Sequence, residues 1–297
     1  MFDLAPPVDA ARTLAVSFLR AVATLAMALG SLPAVAADEA SLFRVETAVY
    51  DSEDAERPVA RSLTLFRDGM AWDFLERLSK EGEATTGEPA EIVLHDPARG
   101  RVILVDPARQ VKTQIDTVRL ERLRASLATW ARSADDPQLR WAGGPDFAIG
   151  DGAEAENGFV LEGPRVRYAV TCDRAPHPGA ADAYRRFADT ALLVKALLHP
   201  GGLPPFPRIA LNERIAESDW IPSKVRLEIE PRLGRLAGRS TVMRSEHRAL
   251  SSWSAADHKR VAAAEERLSV TEGIDLAEYA DPSGVAAADA LPGARRR

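Results

Sequence analysis

From Leu42 to Ile115 apolar and polar residues alternate with a period of two. In LFRVETAVY the residues Phe43, Val45, Thr47 and Val49 face one way, while Arg44, Glu46 and Ala48 face the other, the pattern of a half-buried strand. RSLTLFRDGMAWDFLE repeats it: Leu63 and Leu65, a turn at Arg67-Asp68-Gly69, then Met70, Trp72 and Phe74. An Asp-Gly pair between alternating apolar runs predicts a tight hairpin. EIVLH, RVILVD and QVKTQI predict three more strands, separated by two copies of Asp-Pro-Ala-Arg at 96–99 and 106–109. Asp accepts hydrogen bonds from turn backbone, and Pro presets the dihedral of the next position. Both copies therefore read as corners, not as a catalytic signature. The first is followed by Gly100; the second has Gln110 instead, which predicts a bulge or a wider corner.

The period then lengthens. Val118, Leu120, Leu123, Leu127 and Trp130 recur every three to four residues behind a cap at Asp116 or Thr117, predicting an amphipathic helix laid on the sheet. The following segment, 135–158, is rich in Gly, Asp and Glu and reads as a loop. Its acidic spacing lacks the alternating oxygen ligands and closing Glu of a calcium-binding EF-hand. Strands are predicted at 158–162 and 165–173, and a helix at 179–199 with Tyr184, Phe187, Ala191, Leu192 and Leu198 inward. The Pro-rich stretch from Leu203 reads as irregular, with a short helix at 210–216. Alternation returns through Val225, Leu227 and Ile229 and again over 239–250. Ser254 and Asp257, three apart, then open a helix at 255–268.

Composition narrows the function. A formal charge of -6 over 297 residues argues against a nucleic-acid binder, which needs a positive field. Five Lys leave 33 of the 38 basic residues as Arg; with Ala abundant too, this reads as genomic composition before it reads as anion recognition. Arg12 and Arg20 precede the apolar stretch AVATLAMALGSLPAVAA, whose end at Ala34-Val35-Ala36 has the small alternate residues of a signal-peptidase site. The expected organisation is a signal peptide over 1–36, one domain over 38–280 and a disordered tail over 281–297, in a protein exported to the periplasm or cell envelope. No Cys follows the cut, and no later stretch approaches transmembrane length, so no transmembrane segment is expected after cleavage.

Catalytic constellations are missing from the sequence. Neither a Gly-x-Ser-x-Gly elbow, a phosphate loop, a dinucleotide fingerprint nor His-Glu-x-x-His occurs. The five His (95, 177, 199, 247, 258) lack metal-ligand spacing, so neither cofactor nor metal is expected. The lone cysteine, Cys172, continues the series Val166, Tyr168, Val170 and reads as a small core residue. His95 and Asp96 are neighbours on a strand, pointing to opposite faces, which is poor geometry for a dyad.

One element carries a resemblance. VILVDPARQVKTQI, with its apolar strand 102–105, the corner Asp106-Pro107 and the restart at Gln110-Val111, resembles the LolA/LolB-like superfamily of envelope carriers. The resemblance covers 41–115. It implies an α+β fold: a curved antiparallel sheet forming an incomplete barrel, with helices on its concave face, where such proteins hold acyl chains. The function this implies is noncatalytic binding of a lipid or other hydrophobic ligand, or of an envelope component. The expected concave-face residues are Phe43, Val45, Leu63, Leu65, Trp72 and Phe74, which equally fit an ordinary core beneath the helices. Two other readings compete: an envelope interaction or scaffold protein using strand edges or the helix 117–132, and an exported hydrolase with a dispersed site at His95 or Cys172.

Overall fold

Alternation becomes hydrogen-bonded sheet throughout the first third of the chain. The computed structural model describes residues 41–78, 88–145, 157–200, 202–230 and 240–281. Six strands follow one another as an antiparallel meander: β1 (Phe43–Tyr50), β2 (Ala60–Arg67), β3 (Met70–Arg77), β4 (Glu91–Asp96), β5 (Arg101–Asp106) and β6 (Val111–Asp116). Asp68 and Gly69 both take positive φ, 53° and 75°, as the hairpin between β2 and β3 requires. At the first Asp-Pro-Ala-Arg corner Pro97–Arg99 form a single 3-10 turn, the Asp96 carboxylate accepts from the Arg99 N–H, and Gly100 closes it at φ 60°. The second is closed by Gln110 at φ 56°, with Asp106 Oδ1 accepting from the Arg109 N–H at 3.0 Å. Both corners are turn chemistry.

Helices α1 (Thr117–Arg132) and α2 (Pro137–Ala142) carry the chain to a second meander, β7 (Gly158–Gly163), β8 (Val166–Arg174), β9 (Trp220–Ile229) and β10 (Thr241–Leu250). Helices α3 (Ala180–Leu198) and α4 (Phe206–Glu217) are inserted between β8 and β9. The two meanders meet where β10 pairs with β1. After α5 (Ala255–Val270), the two-residue β11 (Glu272–Gly273) adds in parallel to β6, and α6 (Leu276–Ala280) follows. The result is a single eleven-stranded sheet in the order β11-β6-β5-β4-β3-β2-β1-β10-β9-β8-β7, antiparallel but for its last pairing and not closed into a barrel.

Helices pack on both faces, not on one as expected. On one face α3 covers Phe43, Val45, Phe66 and Ala71, and its far end joins α1, α4 and α6 over Val102, Leu104 and Ile115. On that same face Leu211 and Ile215 of α4 cover Val166, Tyr168, Val170, Cys172 and Val225. The opposite face is covered by α5, whose Val261 and Ala264 join Leu65, Trp72, Phe74, Ile92, Leu94, Ile103 and Val105. Two helix expectations also shift. In α1 only Leu120 and Ala131 are buried, while Val118 and Trp130 of the expected inward stripe are 60% and 52% exposed. The other is α4, which starts at Phe206 because its prolines stand at the N-cap and first turn, where a missing N–H costs nothing. The expected signal peptide over 1–36, the acidic part of the 135–158 loop and the expected tail beyond 281 lie outside the described residues.

Candidate functional site

Strand register decides which of the six expected residues can act together. In an antiparallel pair, directly opposed residues share a face. Phe43 opposes Phe66 and Val45 opposes Thr64, so Phe43 and Val45 lie on the face bearing α3. Leu63 opposes Glu46 and Phe74, and Leu65 opposes Arg44 and Trp72, so Leu63, Leu65, Trp72 and Phe74 lie together under α5. The six therefore split two against four across the sheet. Phe43 stacks on Phe66 with ring centroids 4.1 Å apart, and Val45 has no exposed surface, so both are filled core.

The polar groups that do converge lie further along the α3 face. His247 of β10 opposes Thr47 of β1, which opposes Ser62 of β2. Both ring nitrogens of His247 are engaged: Nδ1 by Thr47 Oγ1 at 3.1 Å and Tyr184 OH at 3.4 Å, Nε2 by Ser245 Oγ at 2.9 Å. Burial pushes its pKa down to about 3, with the Arg208 charge acting in the same direction, so the imidazole is neutral at physiological pH. Next to this row Thr64 donates to Asp73 Oδ1 at 2.7 Å. Desolvation lifts the Asp73 carboxyl to about 6, against the hydrogen bonds of Thr64 and Ser62. Thr47, Ser62, Asp73, Ser245 and His247 nevertheless remain half-buried, not sealed. Beyond them the same face continues through half-buried Val49, Leu75 and Leu227 to Met243, which is 39% exposed.

Ser245 and His247 are at hydrogen-bond distance, but a base held near 3 takes no proton from serine at neutral pH, and Nδ1 faces hydroxyls where a triad places a carboxylate. Cys172 is buried, and desolvation pushes its thiol up to about 12, far from thiolate chemistry. His95 packs against Phe187, with its pKa pushed down to about 4 by burial. Asp96 faces the other way and is held by Arg99 and Arg101. Among the described residues no group of His, Cys, Asp or Glu is placed to hold a metal ion, and no helix is long and apolar enough to cross a membrane.

No family model matches the chain, and no curated protein matches it.

Two surface depressions remain. A groove of about 570 Å³ beside α5 is lined by Glu46, Ala48, Arg61, Glu76, Glu246 and Arg248 among others. Most of its charges are paired: Glu46 with Arg44 and Arg248, Glu246 with Arg244, Glu76 with Arg260. It is the solvated part of the face that α5 leaves uncovered. A cleft of about 490 Å³ separates α1 from α4, with Ala125 and Ala128 on one side and Phe206 and Ile209 on the other. The sequence concealed the polar row because Thr47, Ser245 and His247 belong to strands far apart in the chain, and only the β1–β10 pairing brings them together.

Proposed function

We propose that this is an exported, noncatalytic protein that binds a hydrophobic ligand on the α3 face of its sheet. In this reading the unclosed sheet is curved toward that face as an incomplete barrel of the LolA/LolB-like kind, with α1, α3 and α4 as its inner helices. The observation that carries it is the uncovered end of the face: apolar Val49, Leu75, Leu227 and Met243 stay partly open beside a polar row that burial has already cost the fold. An ordinary core would have sealed both. Export rests on the charged start and apolar stretch that end at Ala36.

Native mass spectrometry of the protein purified without detergent from its own envelope tests the reading. A discrete added mass in the lipid range is expected. A bare protein mass, with the fold intact by circular dichroism, would overturn it and leave the envelope-interaction reading, for which exposed Trp130 and Val118 on α1 offer a surface.

A further inference from the structure

Helix α1 turns a stripe of mixed character to solvent. Arg119, Arg122, Ser126 and Trp130 recur three to four residues apart and are all exposed, so they share one side of the helix over about 16 Å. Trp130 keeps 52% of its surface open, and Val118, one turn before Arg122, keeps 60%. The other side of the helix holds it to the core through Leu120, Leu127 and Ala128. The stripe's charge is of one sign. Several arginines of the other helices are matched with carboxylates: Arg185 and Arg186 with Asp182, Arg214 with Glu217, Arg260 with Glu76 and Arg267 with Glu88. Among the described residues Arg119 and Arg122 make no ion pair. Glu121, the acid within the helix, is turned to the α4 cleft beside Arg124. The stripe thus sets two unpaired cations beside an indole and a valine that the fold leaves in water, where covering the apolar surface would be favourable.

We propose that this stripe docks on an anionic membrane surface, with Trp130 at the level of the lipid headgroups and Arg119 and Arg122 on their phosphates. An indole suits that depth because it is apolar over most of its area yet carries an N–H for the wet side. An arginine stem can lie along apolar surface while its guanidinium stays among phosphates, as on helices that rest in the interface plane. A protein partner is the poorer match. Val118 and Trp130 stand about 18 Å apart along the axis with arginine and serine between them, whereas a protein interface has a contiguous apolar centre. A fluid lipid surface accepts each side chain separately. The formal charge of -6 does not forbid the contact, since at physiological salt charges beyond about 8 Å are screened and those of the stripe lie closest. This inference goes beyond the ligand-binding reading and does not depend on it.

Co-sedimentation of the full chain with phosphatidylcholine vesicles, and with vesicles of equal parts phosphatidylcholine and phosphatidylglycerol, tests it. Binding to the mixed vesicles is expected to be tighter by about tenfold or more, and the preference should fade at about 1 M salt, where the screening length falls to about 3 Å. Each arginine contributes about fivefold near an anionic surface, so Arg119→Gln and Arg122→Gln together should remove most of the preference. Trp130→Ser should weaken binding to both kinds of vesicle and leave the salt dependence as it is. All three side chains are exposed, so the variants keep the core, which circular dichroism checks. Equal binding to the two kinds of vesicle, a preference that survives the double glutamine variant, or full binding by Trp130→Ser would overturn the assignment. Binding to neither would overturn it too and leave Trp130 and Val118 to a protein partner.

Discussion

The two faces of the same six strands are built to opposite rules. Under α5 the core of β2 to β5 is apolar, from Leu65 through Trp72, Phe74, Ile92, Leu94 and Ile103 to Val105, each at most 7% exposed. Leu63 and Met70 are half-buried at its margin, and Asp96 is the one buried polar residue of those strands on that face. Across the sheet, on strands of the same meander, Phe66 and Leu104 share the face with Thr64, Asp73 and His95, and burial shifts the titration of Asp73 and His95. A sheet that needed only stability would have used the first recipe twice. The α5 face is the more apolar of the two, and the α3 face carries polar groups within its core.

The largest effect that could break this contrast is truncation under α5. Phe74→Ala should destabilise by about 3–5 kcal/mol in urea titration, since Phe74 is 2% exposed and the site cannot collapse around the void. A loss below about 1 kcal/mol would mean that the α5 face is not the stabilising one.

Asp73 tests the other face, with the opposite sign. Its carboxyl titrates near 6 in the fold against 3.8 in a free chain, so between those pH values the unfolded chain loses a proton that the folded one keeps. Stability therefore falls as pH rises through that window, and the whole penalty, at most about 3 kcal/mol, is present above pH 6. Asp73→Asn should be more stable than the natural protein at pH 7.5 by up to that amount and indistinguishable from it at pH 3.5. His247 and His95 act the other way: their folded pKa values lie below 6.5, so their contribution is lost as pH drops below it. Removing Asp73 should thus steepen the acid-side decline, measured by urea titration across pH 4–8. The smallest expected effect is that of Thr64→Val, which removes the hydroxyl donor to Asp73: about 1.5 kcal/mol lost at pH 7.5 and less at pH 3.5, where Asp73 is protonated.

Much of the fold was legible because local rules fix it. The two-residue turn at Asp68-Gly69 sets Arg67 opposite Met70, and from that pairing Leu65 meets Trp72 and Leu63 meets Phe74. Leu63, Leu65, Trp72 and Phe74 therefore share one face. The phase between β1 and β2 is not written in either strand. Nine residues, 51–59, join them, and a slip of one would flip every side chain. Leu63 lands opposite Glu46, not Val45, and the group of six divides. The start of α4 is hidden for another reason: Pro204, Pro205 and Pro207 read as helix breakers, although Pro205 stands at the N-cap and Pro207 in the first turn. Gln110 was flagged as a departure from Gly100, and the chain still adopts positive φ there. The polar row was illegible because it is assembled from β1, β2, β3, β10 and α3, elements that meet only in three dimensions.

Gly163 shows how tightly one end of the sheet is closed, since a methyl group there would collide with the ring of Trp141 from α2. The sheet's two margins differ in a way that bears on assembly. β11 lies against β6 with only two residues, too short a template for another chain to extend. At the other margin β7 offers six residues, paired among the described strands only with β8. A second copy joining there would meet an identical β7 across a two-fold axis, and the doubled sheet would end in a blunt margin on each side. Strand addition at the described margins would therefore fall to β7 and not to β11.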